Sequence, residues 1–361
     1  MDIFYGAAFD VVCGCIFPHI YPSFAFSPAY GKIEVTMNIL ITGGAGYIGS
    51  VTNWLLKTLG YSTVVFYNLI NGHKEAVGDT KLIIGDLRSS ADIEAVFEKN
   101  KFDAVVHFAA LALAGESMQK PFEYFHNNID GGLNLLEVMR KNSCKRIIFS
   151  STCAVYGFPK ELPVTEESPI EPSSVYGASK RNFEEILDWY DVIYGIKNAK
   201  LRYFNACGAL PDGSLGEDHR PETHIIPISL KACVNEEPFT VFGKDYKTKD
   251  GTCVRDYVHV LDLAEAHGKA IEYLVNNKMS IAVNLGVGKG YSNLEIVQAV
   301  EKVTGKKMNI KYGERRPGDP DAIYADNAKA KKLLLWEPKY TDPASIIETA
   351  WRWHREHING Y

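Results

Sequence analysis

The segment Gly43-Gly44-Ala45-Gly46-Tyr47-Ile48-Gly49 constrains the fold of this 361-residue chain more than any other feature. It directly follows a β-branched run at 38–42 and precedes an amphipathic stretch, so it predicts a turn between a strand and a helix. Glycines at these spacings permit a tight turn and let the backbone approach a pyrophosphate, which rests on the helix N-terminus. Placed in the first βαβ unit, they indicate a dinucleotide site. Candidate cofactor contacts here are Gly43, Gly46, Tyr47, Ile48 and Gly49.

From residue 37 onward, short β-branched runs alternate with longer amphipathic stretches, which is the pattern of βαβ units on a parallel sheet. Predicted strands are 38–42, 62–67, 81–84, 104–107, 146–150 and 199–203. Predicted helices are 46–59, 91–99, 121–142 and 176–194. The fold class is therefore α/β, a Rossmann-type doubly wound parallel sheet with a smaller mixed α/β C-terminal substrate domain.

Composition excludes several classes of protein. A net charge of -5 argues against nonspecific nucleic-acid binding, which needs a basic face. Seven cysteines, an odd number without any CxxC pair, predict free thiols in a reducing cytoplasm. The ten histidines are read as dispersed, so no metal site is expected.

Residues 1–36 differ from the rest of the chain. No Lys or Arg precedes Lys32, and prolines at 18, 22 and 28 interrupt the apolar stretch. The segment therefore lacks the basic start of a signal peptide and the unbroken span of a membrane anchor, and no membrane partner is expected. Because Met37 would be a natural first residue, the residues before it are interpreted as an upstream translation extension or a loosely attached arm.

Ser150, Thr152, Tyr176 and Lys180 form the candidate catalytic group. Tyr176 and Lys180 are four residues apart, which puts phenol and ammonium on one helix face. The cation is expected to favour the phenolate, which could take a proton from a sugar hydroxyl while a cofactor takes the hydride. An exposed helix pair is the alternative, but the preceding Ser-Ser-Thr strand end and the glycine turn favour catalysis.

The end of the second predicted strand departs from the usual dinucleotide pattern. An acidic residue normally binds the adenosine ribose there, whereas this chain has Tyr67. Weaker or altered cofactor binding is the resulting hypothesis, with Asn68 as a substitute hydrogen-bonding group. No basic residues that would mark a 2′-phosphate are evident nearby, so NAD is favoured over NADP. Asp86 and Leu87 follow the third strand, where an acceptor suits the adenine amino group; a solvated turn is the alternative for Asp86.

Seven ordered motifs carry a family resemblance that runs from about residue 37 to 361. They are the glycine turn, Ser150-Ser151-Thr152-Cys153-Ala154-Val155-Tyr156-Gly157, Tyr176 to Lys180, Leu201-Arg202-Tyr203-Phe204-Asn205, Gly216-Glu217-Asp218-His219, residues 250–257 and residues 315–319. Together they resemble the extended short-chain dehydrogenase/reductases, and within that family the group of UDP-glucose 4-epimerases.

The resemblance implies a reaction and a role for each catalytic residue. Thr152 would hydrogen-bond the sugar O4, Tyr176 would remove its proton, and Lys180 would hold the nicotinamide ribose. Hydride would pass from sugar C4 to NAD, and the 4-keto sugar would rotate and take it back on its other face. Further cofactor contacts implied by the family are Asn68, Asp86, Leu87, Phe108, Ala109, Ala110, Asn127, Ser150 and Tyr203.

The resemblance also implies a UDP-sugar site in the second domain. Asn205 would contact the diphosphate or sugar, Arg255 and Arg316 the phosphates, and Asp319 the uridine ribose. The remaining implied substrate contacts are Ile225 and Phe242 at the uracil, Thr240, and Ile323 at the approach to the sugar. The expected domains are 37–205 for NAD, with about 252–285 contributing, and 206–361 mainly for the UDP-sugar. A homodimer through helices 121–142 and 176–194 is expected from the family.

At several positions this chain differs from related enzymes, and these differences leave alternative functions and substrates open. Related 4,6-dehydratases carry an Asp-Glu pair where this chain has Cys153 and Ala154, so acid–base chemistry beyond C4 lacks its agents. Ala112 stands where many epimerases have Lys; with Tyr67 it motivates a catalytically weak NAD or nucleotide sensor as the alternative. Ile323 is intermediate in size, so UDP-glucose and UDP-galactose are expected first, with N-acetylated or pentose sugars as alternatives.

Overall fold

The computed structural model describes residues 36–316 and 318–361, so the prediction for the N-terminal segment falls, apart from Thr36, outside the described residues. In chain order the strands are β1 (Asn38–Thr42), β2 (Ser62–Tyr67), β3 (Lys81–Ile84), β4 (Ala104–His107), β5 (Arg146–Thr152), β6 (Lys197–Tyr203), β7 (Asn205–Cys207), β8 (Phe239–Phe242), β9 (Val254–Arg255), β10 (Tyr257–His259), β11 (Ile281–Leu285), β12 (Tyr291–Ser292), β13 (Ile310–Gly313) and β14 (Ala322–Ile323). The α-helices are α1 (Tyr47–Thr58), α2 (Ser90–Lys99), α3 (Ala114–Ser117), α4 (Pro121–Phe125), α5 (Gly131–Lys141), α6 (Val175–Tyr194), α7 (Ile225–Asn235), α8 (Val260–Asn277), α9 (Asn293–Thr304), α10 (Ala328–Leu334) and α11 (Pro343–Glu356).

Seven parallel strands form the central sheet in the order β11-β6-β5-β4-β1-β2-β3. After β3 the chain crosses back to place β4 on the other side of β1. This reversal creates a crevice beyond the carboxyl ends of β1 and β4, the usual ligand position in such sheets. The predicted α/β class and parallel sheet are confirmed.

Apolar side chains on both faces of the sheet hold it between two layers of helices. Along β1, Ile39 and Ile41 belong to one core cluster and Leu40 to the other, because successive side chains of a strand point to opposite faces. All three are fully buried. This explains why the strands read as continuous apolar runs rather than as alternating patterns.

Three predicted elements differ from the structure by more than one residue. Strand β5 continues to Thr152 and β6 begins at Lys197, so both are longer than expected. The predicted helix 121–142 is interrupted by one π-helical segment, His126–Asp130. In that segment Asn128 clamps the loop after β4, since its amide accepts from the Leu111 N–H (2.9 Å) and donates to the Leu111 carbonyl (3.0 Å).

The C-terminal part adds three small sheets, β10-β7, β12-β9-β14 and β13-β8. The division into a cofactor domain and a substrate domain stays a prediction. Within the described part of the chain, no helix is both long and apolar enough to span a bilayer.

A buried ion pair ties α6 to the sheet. The Arg202 guanidinium donates to Glu184 at 2.9 and 2.6 Å, and the two side chains are only 4% and 0% exposed. Ser151 donates a further bond to Glu184 (2.6 Å), and Arg202 donates to the Tyr156 hydroxyl (2.9 Å). The network satisfies both charges, which buried ions require.

We expect Arg202→Met to lower the free energy of unfolding by about 3–5 kcal/mol, because Glu184 would remain buried and charged without its partner. Arg140→Met is the matched control, since Arg140 pairs with Glu137 on the surface; its cost should not exceed about 1 kcal/mol. Urea unfolding followed by circular dichroism measures both. Equal losses in the two variants would contradict the assigned role of the buried pair.

Candidate active site

The predicted site residues gather at one edge of the central sheet. Because all seven strands run in the same direction, their carboxyl ends meet there. The residues at or directly after these ends are Gly43 after β1, Asn68 after β2, Asp86 near β3, Phe108 after β4, Thr152 at the end of β5 and Asn205 after β6. Residues distant in the sequence therefore line one crevice.

The glycine turn is fitted against the loop that follows β4. Gly43 has a φ of +79°, and a Cβ there would lie 2.6 Å from the backbone nitrogen of Ala109. A Cβ on Gly49 would lie 2.3 Å from the Gly43 carbonyl oxygen. Gly46 forms the N-cap of α1 without a capping side chain, and the first turn of α1 carries no acidic residue. This backbone can accept a pyrophosphate at the helix N-terminus, so the turn fits a dinucleotide.

The side chains of Tyr47 and Ile48 are engaged elsewhere. The Tyr47 hydroxyl donates to the Gly208 carbonyl oxygen (2.6 Å), and Ile48 packs against two core clusters. Tyr47 and Ile48 could therefore contact a cofactor only through their backbone N–H groups at the start of α1.

A narrow cavity beside the turn contains six of the predicted cofactor residues. Its predicted lining residues are Asn68, Asp86, Leu87, Ala109, Ala110 and Asn127. Arg88 donates to both oxygens of the Asp86 carboxylate (2.9 and 2.7 Å) and holds the pKa of that carboxyl well below its usual range. Asn68 donates to the same carboxylate (3.2 Å). Tyr67 also lines the cavity, and burial raises the pKa of its phenol, so a neutral group occupies the position expected for an acid.

The catalytic candidates meet at the end of β5. Ser174 caps α6 by accepting from the Gly177 N–H (3.1 Å), which places Tyr176 and Lys180 in its first turns. The Thr152 side chain lies beside the Tyr176 phenol and lowers its pKa. Lys180 donates to the Ser150 carbonyl oxygen (2.8 Å). The structure thus unites the predicted residues.

A second pair of candidates lies beside this group. The side chains of Ser150 and Tyr203 are hydrogen-bonded to each other. Phe108 packs with its ring centroid 4.6 Å from that of His267.

The expected effect of Lys180 on Tyr176 needs correction. Burial raises the pKa of Tyr176 to about 12, although the Thr152 hydrogen bond lowers it in part. Burial also lowers the pKa of Lys180 to about 7, against the opposing charge of Glu184. The Lys180 nitrogen lies 6.0 Å from the Tyr176 ring centroid. Desolvation of both groups therefore outweighs their attraction, and the protein alone does not produce a phenolate.

A second cavity of about 490 Å³ contains seven predicted substrate residues, Asn205, Ile225, Thr240, Phe242, Arg255, Arg316 and Asp319. Arg255 lies 3.3 Å from Asp319, and the Arg316 guanidinium lies 4.3 Å above the Phe242 ring. By contrast, the neighbouring Arg315 is bound by Asp245 (2.8 Å). Two guanidinium groups among apolar walls suit a ligand with a planar base and phosphates.

Ile323 lies outside the lining of that cavity. It is 5% exposed, pairs with Arg255 across β14 and β9, and packs into the core. Its predicted role at the sugar therefore stays a prediction.

Sequence reasoning missed several lining residues of the second cavity. These are Cys207, Glu217, His224, Tyr257 and Asn293. A signal was available for two of them, since acidic and histidine residues recur closely in Glu217-Asp218-His219-Arg220-Pro221-Glu222-Thr223-His224.

Comparison with known proteins points to one family. The sequence profile described as GDP-mannose 4,6 dehydratase matches residues 40–349. A UDP-glucose 4-epimerase of Lacticaseibacillus casei is 49% identical over 327 residues, covering 90% of this chain and 99% of that protein. A crystal structure of a UDP-glucose 4-epimerase has a TM-score of 0.88 at 45% identity and covers 90% of this chain and 99% of its own. The Bifidobacterium longum UDP-glucose 4-epimerase in complex with NAD+ and UDP has a TM-score of 0.86 at 40% identity, covering 90% and 100%.

We expect Tyr67→Asp to tighten NAD binding about 10–150-fold, because a hydrogen bond to a charged acceptor contributes about 1.5–3 kcal/mol. Tyr67→Phe is the control for ring size and should leave the affinity close to that of the unchanged chain. Calorimetric titration of cofactor-free protein with NAD measures the three dissociation constants. An Asp variant that binds no more tightly than the unchanged chain would show that the departure at this position is neutral.

Proposed function

This chain belongs to the UDP-glucose 4-epimerase group of the extended short-chain dehydrogenase/reductases, and from that membership we propose that it interconverts UDP-glucose and UDP-galactose with NAD as its cofactor. The observation that carries the proposal is the convergence at the end of β5 of Thr152, the Tyr176 phenol whose pKa it lowers, and Lys180, which donates to the Ser150 carbonyl oxygen. A sugar hydroxyl placed between the two oxygens could give up its proton there.

Each catalytic side chain has a specific task in this reaction. Thr152 orients the sugar O4, Tyr176 takes and returns its proton, and Lys180, anchored by the Ser150 carbonyl, is positioned for the nicotinamide ribose. When bound, oxidised NAD supplies both the hydride acceptor for C4 and a positive charge near the phenol. Because burial holds the pKa of Tyr176 at about 12, that added charge is what makes proton removal feasible near neutral pH.

The residues after Thr152 argue against a dehydratase. Dehydration needs acid–base groups that serve carbons beyond C4. Cys153 and Ala154 offer no carboxylate, and burial raises the pKa of the Cys153 thiol to about 12. Epimerisation at C4 is the chemistry that these residues support.

We also propose a homodimer in the cytoplasm. Helices α4 and α6 carry exposed apolar side chains, Phe122, Trp189, Val192 and Ile193. Burial of such a patch between two copies would stabilise a pair of chains. The cytoplasmic assignment is supported by the unpaired thiols among the described cysteines.

We expect Tyr176→Phe to reduce kcat for UDP-galactose by about 10²–10⁴-fold, since the group that moves the proton is lost. Tyr190→Phe is the matched control, because Tyr190 is also on α6 but bonds Glu137 instead. Conversion is followed by coupled oxidation of UDP-glucose, with and without added NAD. Unchanged turnover in Tyr176→Phe would refute the assignment.

The same assay ranks the alternative substrates. UDP-N-acetylgalactosamine and UDP-pentoses should be converted more slowly than UDP-galactose. Equal rates would show a broad substrate range instead of a preference for hexoses. If NAD-loaded protein converted none of these sugars, the alternative of a catalytically weak NAD or nucleotide sensor would be favoured.

We expect Val192→Asp to convert the dimer to a monomer, because a charge would be buried at the interface. Ile358→Asp is the control, since Ile358 is 82% exposed but lies near the C-terminus, away from α4 and α6. Light scattering after size-exclusion chromatography measures both masses. A Val192→Asp variant with unchanged mass would place the interface elsewhere.

A further inference from the structure

Four side chains of one short segment converge beside the second cavity. Glu217, His219, Glu222 and His224 each contribute one potential ligand atom, and these atoms lie within 4.8 Å of one another. The chemistry described above uses none of the four side chains. Two imidazoles and two carboxylates are a donor set that binds divalent transition metals.

The spacing of the donor atoms suits a single small cation. His219 Nδ1 lies 3.2 Å from a Glu217 oxygen and 3.5 Å from a Glu222 oxygen. His224 Nδ1 lies 2.7 and 3.1 Å from oxygens of the same two carboxylates. Ligands about 2.0–2.2 Å from a tetrahedral ion lie about 3.4 Å apart, and the four histidine–carboxylate distances bracket this value.

A buried carboxylate oxygen without a well-formed hydrogen bond provides an independent indication. The Glu217 side chain is only 5% exposed, and its Oε1, although 2.7 Å from His224 Nδ1, makes no hydrogen bond of proper geometry within the described chain. His219 Nδ1 is likewise buried without such a bond, although it lies 3.2 Å from that oxygen. Buried polar atoms that have ion-pair contacts but no well-formed hydrogen bond need an explanation, and a cation between these two atoms would coordinate both.

We propose that Glu217, His219, Glu222 and His224 bind one Zn²⁺ ion. The imidazoles favour zinc over magnesium or calcium, which prefer oxygen ligands. Four protein ligands complete a tetrahedral shell and leave no open position, so the ion is structural rather than catalytic.

Neighbouring groups already orient the ligands. Glu222 Oε1 accepts from the N–H groups of Thr223 (2.7 Å) and His224 (2.8 Å). The Glu217 carbonyl oxygen accepts from the Trp353 indole (3.2 Å). Such outer contacts hold metal ligands in place and reduce the cost of ordering them.

The position of the site gives the ion a consequence for the cavity. Glu217 and His224 are both part of the cavity lining, and His224 directly precedes α7. The first residue of α7, Ile225, lines the same cavity. Zinc would therefore link residues 217–224 to the start of α7 and fix this wall, whatever ligand the cavity holds.

The test measures metal rather than activity. Full-length protein is stripped with dipicolinate, dialysed, and titrated with ZnCl₂ against a chromophoric zinc indicator, and bound zinc is counted by plasma mass spectrometry. We expect about one Zn²⁺ per chain. His219→Gln should weaken binding more than about 100-fold, since even outer-shell changes cost about 10–100-fold. His126→Gln is the control, because His126 is an exposed histidine paired with Asp130, and it should bind as the unchanged chain does.

Two results would overturn the proposal. One is an unchanged chain that takes up no stoichiometric zinc and shows no rise in its unfolding midpoint when zinc is added. The other is a His219→Gln variant that binds zinc as tightly as the unchanged chain; should that variant not fold, His224→Gln takes its place. In either case the four side chains form ion pairs between histidine and glutamate only. A chain that binds zinc but does not convert UDP-galactose would refute the proposed function alone.

Discussion

The close approach of two backbone segments at the centre of the sheet is the constraint on which the rest of the structure depends. Gly43 after β1 packs so tightly against the backbone at Ala109 after β4 that a single Cβ would collide there. This contact exists because β4 returns to the far side of β1 and leaves both carboxyl ends facing one crevice. The glycine turn, the narrow cavity beside it and the end of β5 are all positioned relative to this contact.

Desolvation governs the chemistry at that crevice. The buried network of Arg202 and Glu184 holds α6 against β5 and β6. Burial raises the pKa of Tyr176 and lowers that of Lys180, so the phenol stays protonated near neutral pH and the ammonium is less favoured than in water. Under the proposed function, the positive charge of bound oxidised NAD would favour the phenolate of Tyr176.

The second cavity combines fixed charges with apolar walls. Arg255 is positioned by backbone carbonyls of Val254 and Pro320 as well as by Asp319, whereas Arg316 rests on an aromatic ring. A cation held in this way, as Arg255 is, loses little entropy when a phosphate binds. The zinc cluster proposed at the cavity wall would extend the same principle, since it would order a loop before the ligand arrives.

The sequence by itself determined the sheet, the glycine turn and most of the site residues. Strands 38–42 and 104–107 could be predicted because strands buried on both faces of a parallel sheet are mostly apolar. The pairing of Tyr176 with Lys180 could be predicted because it depends only on the four-residue spacing within one helix. The π-helical segment at His126–Asp130 and the exclusion of Ile323 from the cavity lining depended on contacts between distant segments. The same holds for the pKa values of Tyr176 and Lys180 and for the convergence of Glu217 with His219 and His224. Only the tertiary structure decided these features, because burial and the direction of side chains are set by packing across the whole chain rather than by neighbours in sequence.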